Sequence, residues 1–402
     1  MSENRPTTRI DLTDPALVAD PYPHFAEERA RHAVAWHEQL GMWLAFSHAA
    51  VSSIQRDRRF GRLWHDRQPA DVWEPFNLLH STQMMENEPP EHTRLRRPVA
   101  AAFARGHVER LRPRVRELAG QLLDEVGSAG EFDVIGQYAE PLPVLVIAEL
   151  LGVPRSYAPQ LRDWSQAIVR MYEPVADGTL PGSRRGQQLD AGAQQLVSDA
   201  LSAAGDFSAL ARELIRDRRT SPRDDLISDL AATELSEQEM VAAVVLLLNA
   251  GHEASVNVFG NGLVSMLRRG LRPGADVPAC VEEMLRFDSA LQLFERTALE
   301  DVQVGGVTVA AGEKIAVLIG SANRDGEVFA EPDEFRVDRD PNPHVAFGVG
   351  VHFCLGAPLA RMELAESVGA LFARHPRLSL AGEPHSRGTF VLRGYHDVRV
   401  SG

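Results

Sequence analysis

A chain of 402 residues with 44% hydrophobic and 24% charged side chains has the make-up of an ordinary globular protein with room for a large buried core. Its net charge of −14 gives a nucleic-acid-binding role no electrostatic support. The amino-terminal stretch MSENRPTTRIDLTDP is polar, and no apolar run approaches the roughly 20 residues needed to span a bilayer, so the expectation is a cytoplasmic protein with no membrane contact. Two cysteines, Cys280 and Cys354, lie too far apart to suggest a disulfide framework. No repeat or low-complexity linker marks a boundary, which reads as a single domain over 1–402.

In chain order, DPALVADPYPHFAEERA is a proline-punctuated entry into a helix. Short β-prone patches follow around Trp36 and Trp43, joined by a glycine-containing turn, and then a helix ending near Arg58. Residues 61–90 read as a long irregular segment holding Trp64, Gln68, Trp73, Phe76, Met84 and Met85; its aromatics argue against disorder and for a functional loop. Prolines 89 and 90 precede a helix on which His92 and Arg96, four apart, share a face. Read from spacing alone, that face is a solvated basic one. From 107 to 205 the pattern is mainly amphipathic helix, with EPVADGTLPGSRRG (173–186) as a connection between two helices.

Ser236 and Glu239 form a capping-box pattern. A proline-free helix then runs to about Arg269, on the order of 50 Å at ~1.5 Å per residue. It is apolar nearly all round from Val241 to Leu248 and therefore expected in the core. Within it Asn249–Ser255 (NAGHEAS) is polar, and polar groups in a buried helix need partners or a job. Gly251 lets another group approach the backbone. Further on, Glu283 and Arg286 lie three apart on one helix face, and Cys280 on the same helix reads as a small core residue. DVQVGGVTV alternates about Gly305–Gly306 and predicts a hairpin, and FVLRGYHDVRV predicts a closing strand pair.

The stretch FGVGVHFCLG (347–356) places Cys354 among glycines and just ahead of APLARMELAESVGALFARH, which is apolar at helical spacing. A helix start favours a thiolate, and glycines permit close approach of a large ligand. A metal-binding thiolate and a buried free cysteine are both compatible with these residues taken alone.

Phe347, Gly348, Gly350, His352, Cys354 and Gly356 together resemble the haem-binding signature of the cytochrome P450 family. The resemblance extends from about residue 90 to 361, with the motifs in the family's order. It implies a mainly α fold with small β-sheets, and haem b between the long central helix and the cysteine loop. It implies Cys354 as the axial ligand of the iron, with Phe347, Gly348, His352 and Gly356 around it and His92, Arg96 and Arg296 as further haem-binding residues. Glu283 and Arg286 become the family's buried structural pair. The 173–186 connection falls in the family's lid over the substrate cavity. Trp64, Gln68, Trp73, Met85, Asn249, Ser289, Leu293 and Phe390 become candidate substrate contacts.

Gly251, Glu253, Ala254 and Ser255 fall in the oxygen-binding helix, where most relatives have an acid followed by threonine. Here alanine follows the acid, and alanine has no hydroxyl to hold water or pass a proton. Three readings stand: protons routed through a substrate hydroxyl and ordered water, as in polyketide-hydroxylating relatives with the same Ala-Ser pair; a coupling reaction with less need of oxygen insertion; or compensation by water alone. The implied activity is oxidation of a natural-product intermediate, by hydroxylation of a macrolide or other polyketide, or by oxidative coupling, for example of a tryptophan-containing cyclic dipeptide. A non-catalytic haem-binding sensor is the rival from another class. A ferredoxin and its reductase are the expected electron source, with Arg94, Arg97 and Arg361 as a candidate docking face, and the protein is expected to be a monomer.

Overall fold

A computed structural model describes residues 5–127, 130–173, 181 and 189–402. Apart from Glu173 and Pro181, the connection expected at 173–186 lies outside the described residues. The chain forms two compact units. One comprises 1–61, 119–139 and 254–402, the other 62–118 and 140–253.

The first unit holds the β-structure. Its six-stranded sheet runs, edge to edge, Thr7–Thr8, Val34–His37, Met42–Ala45, Lys314–Leu318, Leu293–Ala298 and Phe60–Gly61. The expected patches around Trp36 and Trp43 are an antiparallel pair turning at Gly41, whose φ of +64° suits glycine. The two indoles face each other across the strands, edge to face at 5.4 Å. The strands bury Val34, Trp43, Ala45, Ile315 and Val317 against Val51 and Ile54 of the helix His48–Arg56. Gly305 and Gly306 make the hairpin turn between Val302–Val304 and Val307–Val309, both at positive φ as a tight two-residue turn requires.

At the carboxyl end the pairing differs from the expectation. Tyr395–Asp397 pairs with His385–Ser386, while Arg399–Ser401 lies between Ser379–Leu380 and Glu131–Asp133. The adjacent strands thus belong to two different sheets, because each has a more distant partner with a free edge.

The helix Val277–Phe287 carries the pair Glu283 and Arg286, both fully buried. Arg286 Nε and Nη2 donate to the two Glu283 oxygens at 2.8 Å each. Its remaining N–H groups reach the carbonyls of Asn323, Pro332 and Glu334 at 2.9, 2.8 and 3.1 Å. All five guanidinium donors are therefore spent. Glu283 also accepts from Arg339 Nε, the Arg336 N–H and Asn342 Nδ2. An irregular segment with few backbone partners of its own, 330–342, is thus fastened to a helix by charge-assisted bonds. Cys280, one turn earlier, is fully buried, and burial pushes its thiol up to about 12, as befits a core residue.

The second unit is helical. Pro141–Leu151 is apolar except for Glu149 and almost wholly buried, and ends at Gly152, whose φ of +80° lets the Val153 N–H close on Ala148 O at 2.8 Å. Ala158–Val169 packs on Ala191–Thr220, with Trp164 against Phe207 at 5.3 Å. Arg218 is buried and joins Asp225 Oδ2 at 2.6 Å to Gly152 O at 2.7 Å.

The segment 61–90 is more regular than its sequence suggests. Glu74–Ser81 is a helix with Pro75 in its first turn, and Met84–Glu86 is a turn of 3₁₀ helix. The long helix runs Glu237–Arg268 and begins at the expected capping box, the Ser236 N–H donating to Glu239 Oε2 at 2.8 Å and the Glu239 N–H to Ser236 Oγ at 3.3 Å. Its residues up to Glu253 belong to the second unit and those from Ala254 to the first. By length and composition this helix is apolar enough to cross a membrane, contrary to the sequence reading, but 61% of its most apolar stretch is buried, the pattern of a core helix.

Glu283→Gln leaves Arg286 and Arg339 buried beside a neutral amide. The expected cost is about 3–5 kcal/mol, because breaking a buried pair strands a charge. A urea titration showing a loss below about 1 kcal/mol would mean that 330–342 is held by something else.

Candidate functional site: the cysteine loop and the polar turn of the long helix

The loop before the helix Ala357–Arg374 is built on three glycines. Gly348 and Gly350 have φ of +67° and +81°, and Gly356 is the N-cap of the helix. At Gly350 any side chain is excluded twice over, since a Cβ would lie 2.3 Å from the Gln55 carbonyl oxygen. Gln55 is itself buried and its Oε1 accepts the Val349 N–H at 3.1 Å. The loop closes where the Cys354 N–H reaches the Phe347 carbonyl at 2.9 Å. Asn323 Oδ1 fixes its entry by accepting the Val345 N–H at 2.8 Å. Cys354 is left half-buried, two residues ahead of a helix N-cap, whereas Cys280 is sealed in the core. A partly accessible thiol at the positive end of a helix dipole is suited to carry a thiolate.

Around it, His352 is half-buried and Phe347 lies under the Arg361 guanidinium at 4.5 Å. Arg296, on the strand Leu293–Ala298, is 5% exposed and its Nη1 donates to Glu295 O at 2.9 Å. Leu293 at the start of that strand is half-buried. Ser289 is buried and engaged within the unit, its hydroxyl donating to Leu285 O at 3.0 Å and accepting from Asn323 Nδ2 at 2.9 Å. Phe390 is buried edge-on to Phe25 at 6.2 Å.

The polar turn of the long helix divides by exposure. His252, Glu253 and Ser255 are buried, while Gly251 and Ala254 are half-exposed and three residues apart, hence on one face. At Gly251 the expected close approach is made by Ile147, to which a Cβ would come within 2.8 Å. Asn249 is half-buried, with a side-chain oxygen that is shut off from solvent and has no hydrogen-bond donor among the described residues.

In the second unit, His92 is 2% exposed and Arg96 half-buried on the helix Glu91–Ala100, which confirms their shared face. The aromatic residues of 61–90 pack on one another. Trp64 stacks on His80 at 4.4 Å, Phe76 on the same ring at 4.1 Å, and Trp73 is buried edge-on to Phe76. Arg67 lies over Trp73 and Phe76 and donates to Met171 O and Pro181 O at 3.0 and 2.7 Å. His80, buried between Phe76 O and the Tyr172 hydroxyl, is pushed down to about 4 by desolvation and stays neutral. Gln68 stands outside this cluster and is exposed, and Met85 is half-buried. Two of the three arginines expected to form a docking face are committed elsewhere: Arg94 pairs with Glu91 and Glu239, and Arg361 with Glu282.

Two residues near the cysteine escaped the sequence reading. Gln55 is a polar residue on an apolar helix face, a weak signal whose meaning depends on a loop 294 positions away. Glu363 is a carboxyl on the buried side of Ala357–Arg374, near Tyr138, and only its place among apolar neighbours on the helix hints at burial.

Comparison with known proteins places these features. The family profile described as Cytochrome P450 matches residues 277–374, from the Glu283–Arg286 helix through the cysteine loop. Cytochrome P450 107B1 of Saccharopolyspora erythraea is 39% identical, over 96% of this chain and 96% of its own length. The 6-deoxyerythronolide B hydroxylase of the same organism is 34% identical, over 98% and 99%. Among solved structures, P450BioI in complex with an acyl carrier protein ligated to hexadec-9Z-enoic acid superposes with a TM-score of 0.88 at 30% identity, covering 96% of this chain and 99% of that one.

The chain belongs to the cytochrome P450 family and is a haem b monooxygenase that depends on redox partners and acts on small molecules. The donor set fits that cofactor. Among the described residues no three His, Cys, Asp or Glu side chains converge, so an iron held by one protein sulfur would need its remaining ligands from a macrocycle. The loop supplies one half-buried thiol, and the strand Leu293–Ala298 of the same unit a buried guanidinium of the kind a carboxylate requires.

Glu363 gives a test of the packing around this helix. Burial raises its carboxyl to about 8, above the ordinary value of 4.5. Between those values the folded protein binds the proton that the unfolded chain has released, so stability is full below about 4.5 and falls as pH rises through about 8. Glu363→Gln, isosteric with the neutral acid, is expected to flatten the fall in melting temperature across that window. An unchanged slope would contradict the burial argument.

Proposed function

We propose that this cytochrome P450 hydroxylates a hydroxyl-bearing, polyketide-type natural product, with Cys354 as the thiolate that would hold the haem and His352 and Arg296 of the same unit as further haem-binding residues. The bound haem supplies oxygen activation. The protein's own part is to hold the substrate and to manage protons. One observation carries the reading: on the polar turn of the long helix Gly251 and Ala254 are half-exposed and share a face, while Glu253 and Ser255 are buried residues. Ser255 is one residue on, ~100° around the helix. The exposed face thus offers no side-chain hydroxyl, and a proton donor there has to come from water ordered by the substrate or from the substrate itself. The relatives include bacterial cytochromes P450 of secondary metabolism, and similarity to a 6-deoxyerythronolide B hydroxylase and to a polyketide biosynthesis cytochrome P450 of Bacillus subtilis supports a polyketide in particular.

Oxidative coupling of an aromatic cyclic dipeptide draws less support, because the aromatic side chains of 61–90 that suggested it are largely spent on one another. Electrons are assigned to a ferredoxin and its reductase, and the protein to the cytoplasm.

Titration of the ferric protein with a hydroxylated macrolide precursor is expected to give a saturable Soret shift. The analogue lacking the hydroxyl nearest the oxidised carbon is expected to bind but to waste electrons as peroxide. Ala254→Thr should then restore coupling for that analogue by at least several-fold, within the ~10²–10⁴-fold that a positioned proton donor contributes. Equal coupling of both substrates in the wild type would sink the substrate-assisted reading. A shift only with cyclic dipeptides would move the substrate class.

A further inference from the structure

Adjacent glutamates on the helix Val277–Phe287 hold different parts of the first unit. Glu283 is buried and fastens 330–342, and its neighbour Glu282 points ~100° away around the helix. The two Glu282 oxygens accept separately from Arg361, Oε1 from Nε at 2.7 Å and Oε2 from Nη2 at 2.9 Å. This is the planar fork that only arginine supplies. Oε2 also takes His344 Nε2 at 2.9 Å. The Ala346 N–H donates to His344 Nδ1 at 3.2 Å, so the ring is the tautomer with its proton on Nε2, aimed at the carboxylate. Burial raises the Glu282 carboxyl, but the bonds from His344 and Arg361 outweigh it and bring the group down to about 2. It is a carboxylate at any working pH.

The geometry carries this contact to the cysteine. Arg361 lies seven residues beyond Cys354, in the second turn of the helix that follows it, and its guanidinium covers the Phe347 ring at 4.5 Å. The carbonyl of Phe347 receives the Cys354 N–H at 2.9 Å. His344 stands three residues before Phe347. One carboxylate thus grips the chain on both sides of the cysteine, at 344 and at 361.

We propose that Glu282, Arg361 and His344 form a positioning clamp that seats Phe347 and thereby sets how the Cys354 sulfur meets the haem iron. Arg361 is a positioning residue, and its charge is spent within the protein. The clamp rests on the assignment of Cys354 as ligand. It adds that residues outside the cysteine motif tune the thiolate, in the way outer partners tune the ligands of other metals.

The test uses the haem-loaded protein and its Glu282→Gln and Arg361→Lys variants, and reads the haem reduction potential and the lifetime of the thiolate-type ferrous–carbon monoxide band. Glu282→Gln removes the charge but keeps the shape, and Arg361→Lys keeps the charge but loses the fork and the flat stack. Each is expected to shift the potential and to lose the band about tenfold faster than the wild type, the kinetic equivalent of one charge-assisted hydrogen bond. The double variant should be no worse than the worse single, as members of one clamp are not additive. Arg361 and Glu282 are partly exposed, so the wild-type band should also decay faster as salt rises, a reading that needs no variant. Wild-type potential and lifetime in the variants, or a salt-independent wild-type decay, overturns the clamp. A wild type without any thiolate-type band overturns the ligand assignment and the clamp together.

Discussion

The Glu283–Arg286 pair is the constraint on which the rest of the first unit depends. Two full charges taken out of water are tolerable only if every lone pair and every proton finds a partner. Here the guanidinium meets three backbone carbonyls and a carboxylate, and the carboxylate meets a second arginine, a backbone N–H and an amide. A well-packed hydrophobic cluster of similar volume can match its stability, but apolar contacts are not directional. The bonds specify the path of a segment, 330–342, that has no helix or strand to specify it. The cysteine loop begins where that segment ends, so its entry point is inherited from the buried pair.

From there the loop is defined by steric exclusion and by a few backbone bonds. Gly350 lets the chain pass against the Gln55 carbonyl where any Cβ would collide. Asn323 and Gln55 accept the N–H groups of Val345 and Val349, which the turns leave without backbone partners. A half-buried sulfur at a helix start follows from these choices, and so does the contrast with Cys280, whose thiol burial keeps protonated.

Much of this was legible in the sequence where the signal is local. The capping box at Ser236 and Glu239, the Gly305–Gly306 turn, the strands around Trp36 and Trp43 and the helix after Cys354 are each dictated by residues within one or two turns of chain. The Glu283–Arg286 pair was legible as spacing, which alone reads as a surface feature; its burial was legible only through the family resemblance, and the structure bears it out. What failed was long-range. A closing strand pair was expected within 390–400, and the strands found there, 395–397 and 399–401, instead pair with other parts of the chain. Arg361 looked like a free surface cation until Glu282, 79 residues away, was seen to hold it. The helix Glu74–Ser81 was hidden in a segment whose tryptophans and prolines suggested a loop, because its stability comes from packing Phe76 and His80 into an aromatic cluster and not from helix propensity.

The account turns on a half-buried thiol held ready for the haem iron, and the ferrous–carbon monoxide spectrum of the haem-loaded protein, taken beside that of Cys354→His, tests it most directly. A thiolate-type Soret band in the wild type, lost in the variant although haem remains bound, is the predicted result. A band that survives the substitution would place the ligand at Cys280, the chain's other cysteine, or outside the chain, and would contradict the account.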